Sequence, residues 1–217
     1  MINNLNGTVL ILTLFFSACT AKEKSYVKEE FKEPVKQNVD KGMEIATFAG
    51  GCFWCTEAVF LEVKGVQKVV SGYIGGNTKN PTYQEICTGT TGHAEAIQIT
   101  YNPAEVAYED LLEVFFATHD PTTLNRQGAD IGTQYRSEIF YHSLVQKEKA
   151  EKYISFIEKE KLYDKKVVTK ISSATIFYEA EAYHQNYYNQ NSSQGYCQMV
   201  IAPKLEKLRK YYKSKLK

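Results

Sequence analysis

Two cysteines separated by two aromatic residues, Cys52-Phe53-Trp54-Cys55, follow the pair Gly50-Gly51 and open an apolar segment with helical spacing. A thiol at the start of a helix meets unpaired backbone N–H groups and the positive end of the helix dipole. Both lower its pKa from about 8.5 toward about 3.5 to 7.5. Cys52 holds that position and is the expected nucleophile. The chain has five cysteines (Cys19, Cys52, Cys55, Cys87 and Cys197), and an odd number cannot all pair within one molecule. A C-x-x-C at a strand-to-helix junction is also the pattern of a thioredoxin-like thiol-disulfide oxidoreductase. Zinc would need a second pair, which does not follow. His93, His119, His142 and His184 share no metal-ligand spacing, and neither G-x-G-x-x-G nor a P-loop occurs, so neither a metal nor a bound nucleotide or flavin is expected. With 26 Lys and Arg against 25 Asp and Glu, net charge gives no bias toward nucleic acid. The 16 tyrosines suit a site that binds by contact area with hydroxyls as polar handles.

The elements that must position these groups alternate. A short strand is expected over 44–49, a helix from Cys52, a strand over 66–74, one helical turn over 83–87 and a strand over 94–100. On that last strand Glu95 shares a face with Ile97 and Ile99, and a carboxylate on an apolar face needs a reason. An amphipathic helix over 106–117 precedes a polar loop over 120–133, of a length that usually carries function. Then come a strand over 134–142, a helix over 144–162, a strand over 167–177 and a last basic helix from Pro203. The order implies an α/β (α+β) two-layer sandwich with a mixed central sheet and flanking helices. Residues beyond Ala180 are rich in Asn, Gln and Ser and read as a coil-rich, mobile C-terminal tail holding Cys197. Cys87 reads as a small buried side chain.

The stretch Thr8 to Ala18 is too short to span a bilayer as a helix but has the length of a signal-peptide h-region. With Ser17 and Ala18 before Cys19 it resembles a bacterial lipoprotein signal, although Phe16 stands where Leu is commonest and no Lys or Arg precedes Thr8. The expected organisation is a signal over 1–18, a Lys- and Glu-rich tether over 19–43 lipidated at Cys19, and a catalytic domain over 44–217.

Five motifs carry a wider resemblance: GGCFWCTEAVF from Gly50, SGYIGG from Ser71, TGTTGHAEAIQITYNP from Thr88, HDPTTLNRQGADIGTQYRSEIFY from His119, and AEAYHQNYY from Ala180. In this order they are similar to the A-type peptide-methionine (S)-S-oxide reductases. The resemblance implies that Cys52 attacks the sulfoxide and Glu95 protonates its oxygen, while Tyr73 and Tyr135 hydrogen-bond that oxygen. It further implies that Phe53 and Trp54 wall the S-methyl pocket, that Asp130 belongs to the substrate site, and that Cys197 resolves the oxidised Cys52. Cys55 is a further recycling candidate, and His184 supports the site. Burial among apolar groups would raise the Glu95 pKa as an acid requires. The implied substrates are oxidised proteins and free methionine sulfoxide. The implied electron donor is thioredoxin or another dithiol, and no cofactor is bound. The expected location is the bacterial cell envelope, on a lipid anchor in the membrane.

Overall fold

The structure, a computed structural model, describes residues 39–217; the expected signal, Cys19 and most of the tether lie outside the described residues. Alternating apolar side chains form β1 (Glu44–Gly50), β2 (Val66–Ile74) and β3 (Ala94–Tyr101), which pair antiparallel with β3 in the middle. β6 (Ser137–Tyr141) adds antiparallel to β1, and β7 (Lys170–Ser173) adds parallel to β6. With β8 (Tyr178–Glu179) on the far edge of β2, the order is β7-β6-β1-β3-β2-β8, a mixed sheet as expected. The short β4 (Arg126–Gln127) and β5 (Asp130–Ile131) pair within the polar loop.

One sheet face packs beneath α1 (Phe53–Leu61), α3 (Tyr108–Thr118), α4 (Leu144–Lys159) and α6 (Ala202–Tyr211). Its core includes Phe48, Ile97, Ile99, Tyr73 and Tyr101 from the strands. The opposite face is lined by small residues, Ala49, Ala94 and Ala96, with Ile74 and Phe140, and is covered by Ala174 and Phe177. That cover explains why the expected strand over 167–177 is shorter. After β7 the chain leaves the edge, crosses the far face, and rejoins the sheet at β8. The strand expected from Gln134 begins at Ser137 because residues 133–135 form a tight turn after Gly132, whose φ of 148° no side chain favours.

The C-terminal segment corrects the sequence reading most. Turns do run to Gln194, interrupted by α5 (Tyr187–Gln190), but Cys197 is not in a mobile tail. It is fully buried at the start of a π-helical turn (Cys197–Ile201) that runs into α6. Cys197, Ile201, Leu205 and Leu208 form one buried stripe, and that apolar face is what docks the segment.

Candidate active site

β1 delivers the chain to the site through Gly50 and Gly51. Gly51 sits at φ +96°, and a Cβ on Gly50 would lie 2.8 Å from the Phe115 ring. Cys52 follows as the residue capping α1, with its carbonyl accepting from the Cys55 N–H at 3.1 Å. No side chain caps this helix from within its own turn. Instead Phe53 N–H donates to Glu95 Oε2 at 3.1 Å, so a carboxyl from β3 meets the first amide of α1. Tyr73 lies opposite Glu95 in the β2–β3 register.

Glu95 is 2% exposed. Burial pushes its pKa up to about 8; the Phe53 N–H pulls against this, and negative charge at Asp130 and Cys55 adds to it. The carboxyl that the strand pattern put on an apolar face is therefore buried, and burial favours its neutral form at pH 7.

The thiols depart from expectation. The helix start was expected to lower the Cys52 pKa, but Cys52 is buried and desolvation pushes its thiol up, helped by its hydrogen bond to Cys55. The same hydrogen bond brings Cys55 down to about 7 against the opposing effect of burial. The two thiols therefore depend on each other, and ionising either one disfavours ionising the other. Cys197 is raised by burial and by the Cys55 charge. Cys87, expected to be buried, is exposed at the end of α2 (Tyr83–Cys87), where Ile86 takes the inward position instead.

Aromatic rings close the site. Phe53 packs on Tyr73 (5.8 Å between centroids) and on His184 (5.1 Å). Trp54 donates its indole N–H to His184 Nδ1 at 3.1 Å and stacks on Tyr187 at 3.7 Å with an interplanar angle of 8°. Tyr73 gives its hydroxyl proton to Glu181 Oε2 at 2.8 Å, so bonding to a substrate oxygen would require it to exchange that partner. The hydroxyls of Tyr73, Tyr83 and Tyr135 are each pushed up by burial first and also by the Glu95 charge, with the Glu181 hydrogen bond adding to it at Tyr73. Asp130, in β5, accepts from Tyr196 Oη at 2.8 Å, and that hydroxyl is 3.8 Å from Cys55 Sγ.

The structure therefore brings together Cys52, Cys55, Phe53, Trp54, Tyr73, Glu95 and Tyr135, and links Asp130 to them through Tyr196. Sequence reasoning missed Tyr83, Glu181 and Tyr196. Glu181 stood inside a quoted motif and Tyr196 beside Cys197, but no spacing signalled that either would turn toward α1.

The family model described as peptide methionine sulfoxide reductase matches residues 44–216. A Deinococcus radiodurans protein named peptide methionine sulfoxide reductase MsrA is 56% identical over 174 residues, covering 80% of this chain and 84% of its own. The Chromobacterium violaceum protein of that name is 54% identical over 170 residues, covering 78% and 97%. Among solved structures, methionine sulfoxide reductase A of Corynebacterium diphtheriae is similar with a TM-score of 0.63 and 35% identity, over 73% of this chain and 79% of that one. Reduced Mxr1 from Saccharomyces cerevisiae gives a TM-score of 0.66 and 34% identity, over 74% and 92%. A thioredoxin-like exchange enzyme is thereby set aside, and the chain belongs to the peptide methionine sulfoxide reductase family.

Proposed function

We propose that this chain reduces the S epimer of methionine sulfoxide to methionine, in proteins and as the free amino acid, through Cys52. One juxtaposition carries the reading: a carboxyl that keeps its proton to about pH 8 meets the first amide of the helix that begins at Cys52. A sulfoxide oxygen leaves only when protonated, and Glu95 is the proton source. The Cys52 sulfur bonds to the substrate sulfur as Glu95 protonates the oxygen, and Cys55 takes the Cys52 proton. Transfer of that oxygen to Cys52 releases methionine and leaves a cysteine sulfenic acid. Tyr73, Tyr83 and Tyr135 surround the oxygen, with Tyr73 exchanging its bond to Glu181 for one to substrate. Phe53 and Trp54 wall the methyl group, and Asp130 fixes Tyr196 beside them.

Cys55 then attacks the sulfenic sulfur, forming the Cys52–Cys55 disulfide and water. This alters the order of recycling from the direct Cys197 attack that the motif implies: Cys55 is one turn from Cys52 on α1, whereas Cys197 comes from the turn before α6 and feels the Cys55 charge. Exchange with Cys197 moves the disulfide to the turn before α6, and a dithiol such as thioredoxin, reaching it as that turn opens, supplies the two electrons. The lipoprotein-like sequence around Cys19 adds a membrane anchor in the bacterial envelope to the proposal.

Turnover of each resolved methionine sulfoxide epimer with dithiothreitol as electron source tests the activity. The S epimer should be consumed and the R epimer left, and Cys52→Ser should abolish the reaction. Turnover of neither epimer, or turnover persisting in Cys52→Ser, would overturn the proposal.

A further inference from the structure

Glu57 lies three residues after Trp54 on α1 and is 2% exposed, yet no Lys or Arg among the described residues pairs with it. A buried carboxylate without a cation persists only where other donors satisfy it. Here the donors are two successive backbone amides of the segment that crosses α1. Asn186 N–H donates to Oε1 at 2.8 Å and Tyr187 N–H to Oε2 at 3.3 Å. Asn186 is held in the left-handed region at φ 51°, an uncommon conformation for a residue other than glycine. The consequence falls on the next side chain, because the Tyr187 ring is the one stacked flat on Trp54.

We infer that Glu57 is a positioning residue for the methyl pocket: its carboxylate fastens Asn186 and Tyr187 to α1 so that Tyr187 backs Trp54 in one orientation. The inference rests on the proposal that Trp54 walls the substrate's methyl group. Residues three apart on a helix share a side. Glu57 and Trp54 therefore move as one body, and the Tyr187 ring is referenced to the same helix that carries the indole. His184 holds the indole nitrogen from the same crossing segment. Gln185 ties that segment to the β2 edge, accepting from Ser71 N–H and donating to Ser71 O, both at 3.0 Å. Of these hydrogen bonds, Glu57 alone joins the Tyr187 backbone to α1, and losing it should loosen the ring's seat on Trp54, with its hydroxyl still donating to Gln194 Oε1 at 3.0 Å, without detaching the segment from the sheet.

Trp54 is the one tryptophan of the chain, so its emission reports this wall alone. Glu57→Gln keeps the shape but turns an amide NH2 toward one of the two N–H groups, breaking that bond. Its emission should move to longer wavelength without substrate. The KM for a peptide bearing methionine sulfoxide should rise by about five- to tenfold, the net worth of one typical hydrogen bond. The single-turnover rate at saturation should stay at the wild-type value. Tyr187→Leu should reproduce both changes, and the double variant should add nothing further. A folded Glu57→Gln with wild-type emission and KM would overturn the inference, as would effects that add in the double variant. If Glu57→Gln does not fold, wild-type emission from Tyr187→Leu overturns it equally. Failure of the catalytic reading appears separately, as turnover in Cys52→Ser, which leaves the emission comparison intact.

Discussion

Glu95 keeps its proton at neutral pH because its position offers an anion one amide, Phe53 N–H, and little water. That arrangement suits an acid catalyst and costs the fold stability. The unfolded chain loses this proton near 4.5, while the native state keeps it to about 8. The native state therefore binds the extra proton between these values, and stability falls as pH rises through that window, with the full contribution present only below 4.5. Glu95→Gln removes both effects. Its single-turnover rate should drop by roughly 10² to 10⁴ at pH 7, the usual worth of a positioned acid. The decline of the wild-type rate above about pH 8 should disappear. Its melting temperature should exceed wild type by more at pH 8 than at pH 5. Thermal melts and rapid-quench turnover across pH measure the two together. An unchanged rate removes Glu95 from catalysis, and equal melting differences at both pH values show that its proton is not held by the fold.

Helix α1 organises the site: Cys52 caps it, its first amide meets Glu95, and its first turns carry Phe53, Trp54, Cys55 and Glu57. Recycling follows from which element each thiol occupies. Cys55 is one turn from Cys52 on the same helix, whereas Cys197 is packed at the root of α6. Cys55→Ser and Cys197→Ser should both release about one methionine per enzyme, since Cys52 is the nucleophile in each, with Cys55→Ser the slower because it lacks the thiol that takes the Cys52 proton. They should then differ. Mass spectrometry after that release should find a Cys52–Cys55 disulfide in Cys197→Ser and a Cys52 sulfenic acid in Cys55→Ser. A Cys52–Cys197 disulfide forming at the wild-type rate in Cys55→Ser would restore the direct route. The boundaries of β2 and α2 were legible in the sequence to the residue, because periodicity and flanking glycines or a capping threonine mark both. Glu95 was legible too, as a carboxylate in an apolar register. The burial of Cys197 was not, because the Asn-, Gln- and Ser-rich stretch before it masked the i, i+4, i+8, i+11 spacing that links it to Ile201, Leu205 and Leu208. The thiol pKa values were equally hidden: the sequence places Cys52 at a helix start but does not say how deeply that start is buried.

At the scale of the whole molecule, β1 relates the site to the proposed anchor. The strand enters the sheet at Glu44, whose carboxylate accepts from Tyr101 Oη at 2.6 Å, and leaves it at Gly50, next to Cys52. Its seven residues at about 3.3 Å each separate the entry point from the Cys52 thiol by about 20 Å. A membrane attachment at Cys19 would therefore pull on the end of β1 away from the site. The chain between Cys19 and Glu44 limits the domain's distance from the surface to about 80 Å at full extension. Lipid on Cys19 would confine the enzyme to clients at or near that surface. A single acyl chain binds only marginally, at about 0.8 kcal/mol per buried methylene, so durable anchoring requires more than one chain on the cysteine. The envelope is oxidising, so the electrons for the Cys52–Cys55 disulfide would have to come from a dithiol protein exported to, or relayed across, the same membrane. Expression of the full chain in a bacterial host, followed by fractionation, tests the anchor. Wild type should sediment with membranes and lack residues 1–18, and Cys19→Ala should lose the membrane association while keeping its turnover with dithiothreitol. Recovery of wild type as a soluble cytosolic protein with residues 1–18 attached would remove the anchor, and with it the need for an exported reductant.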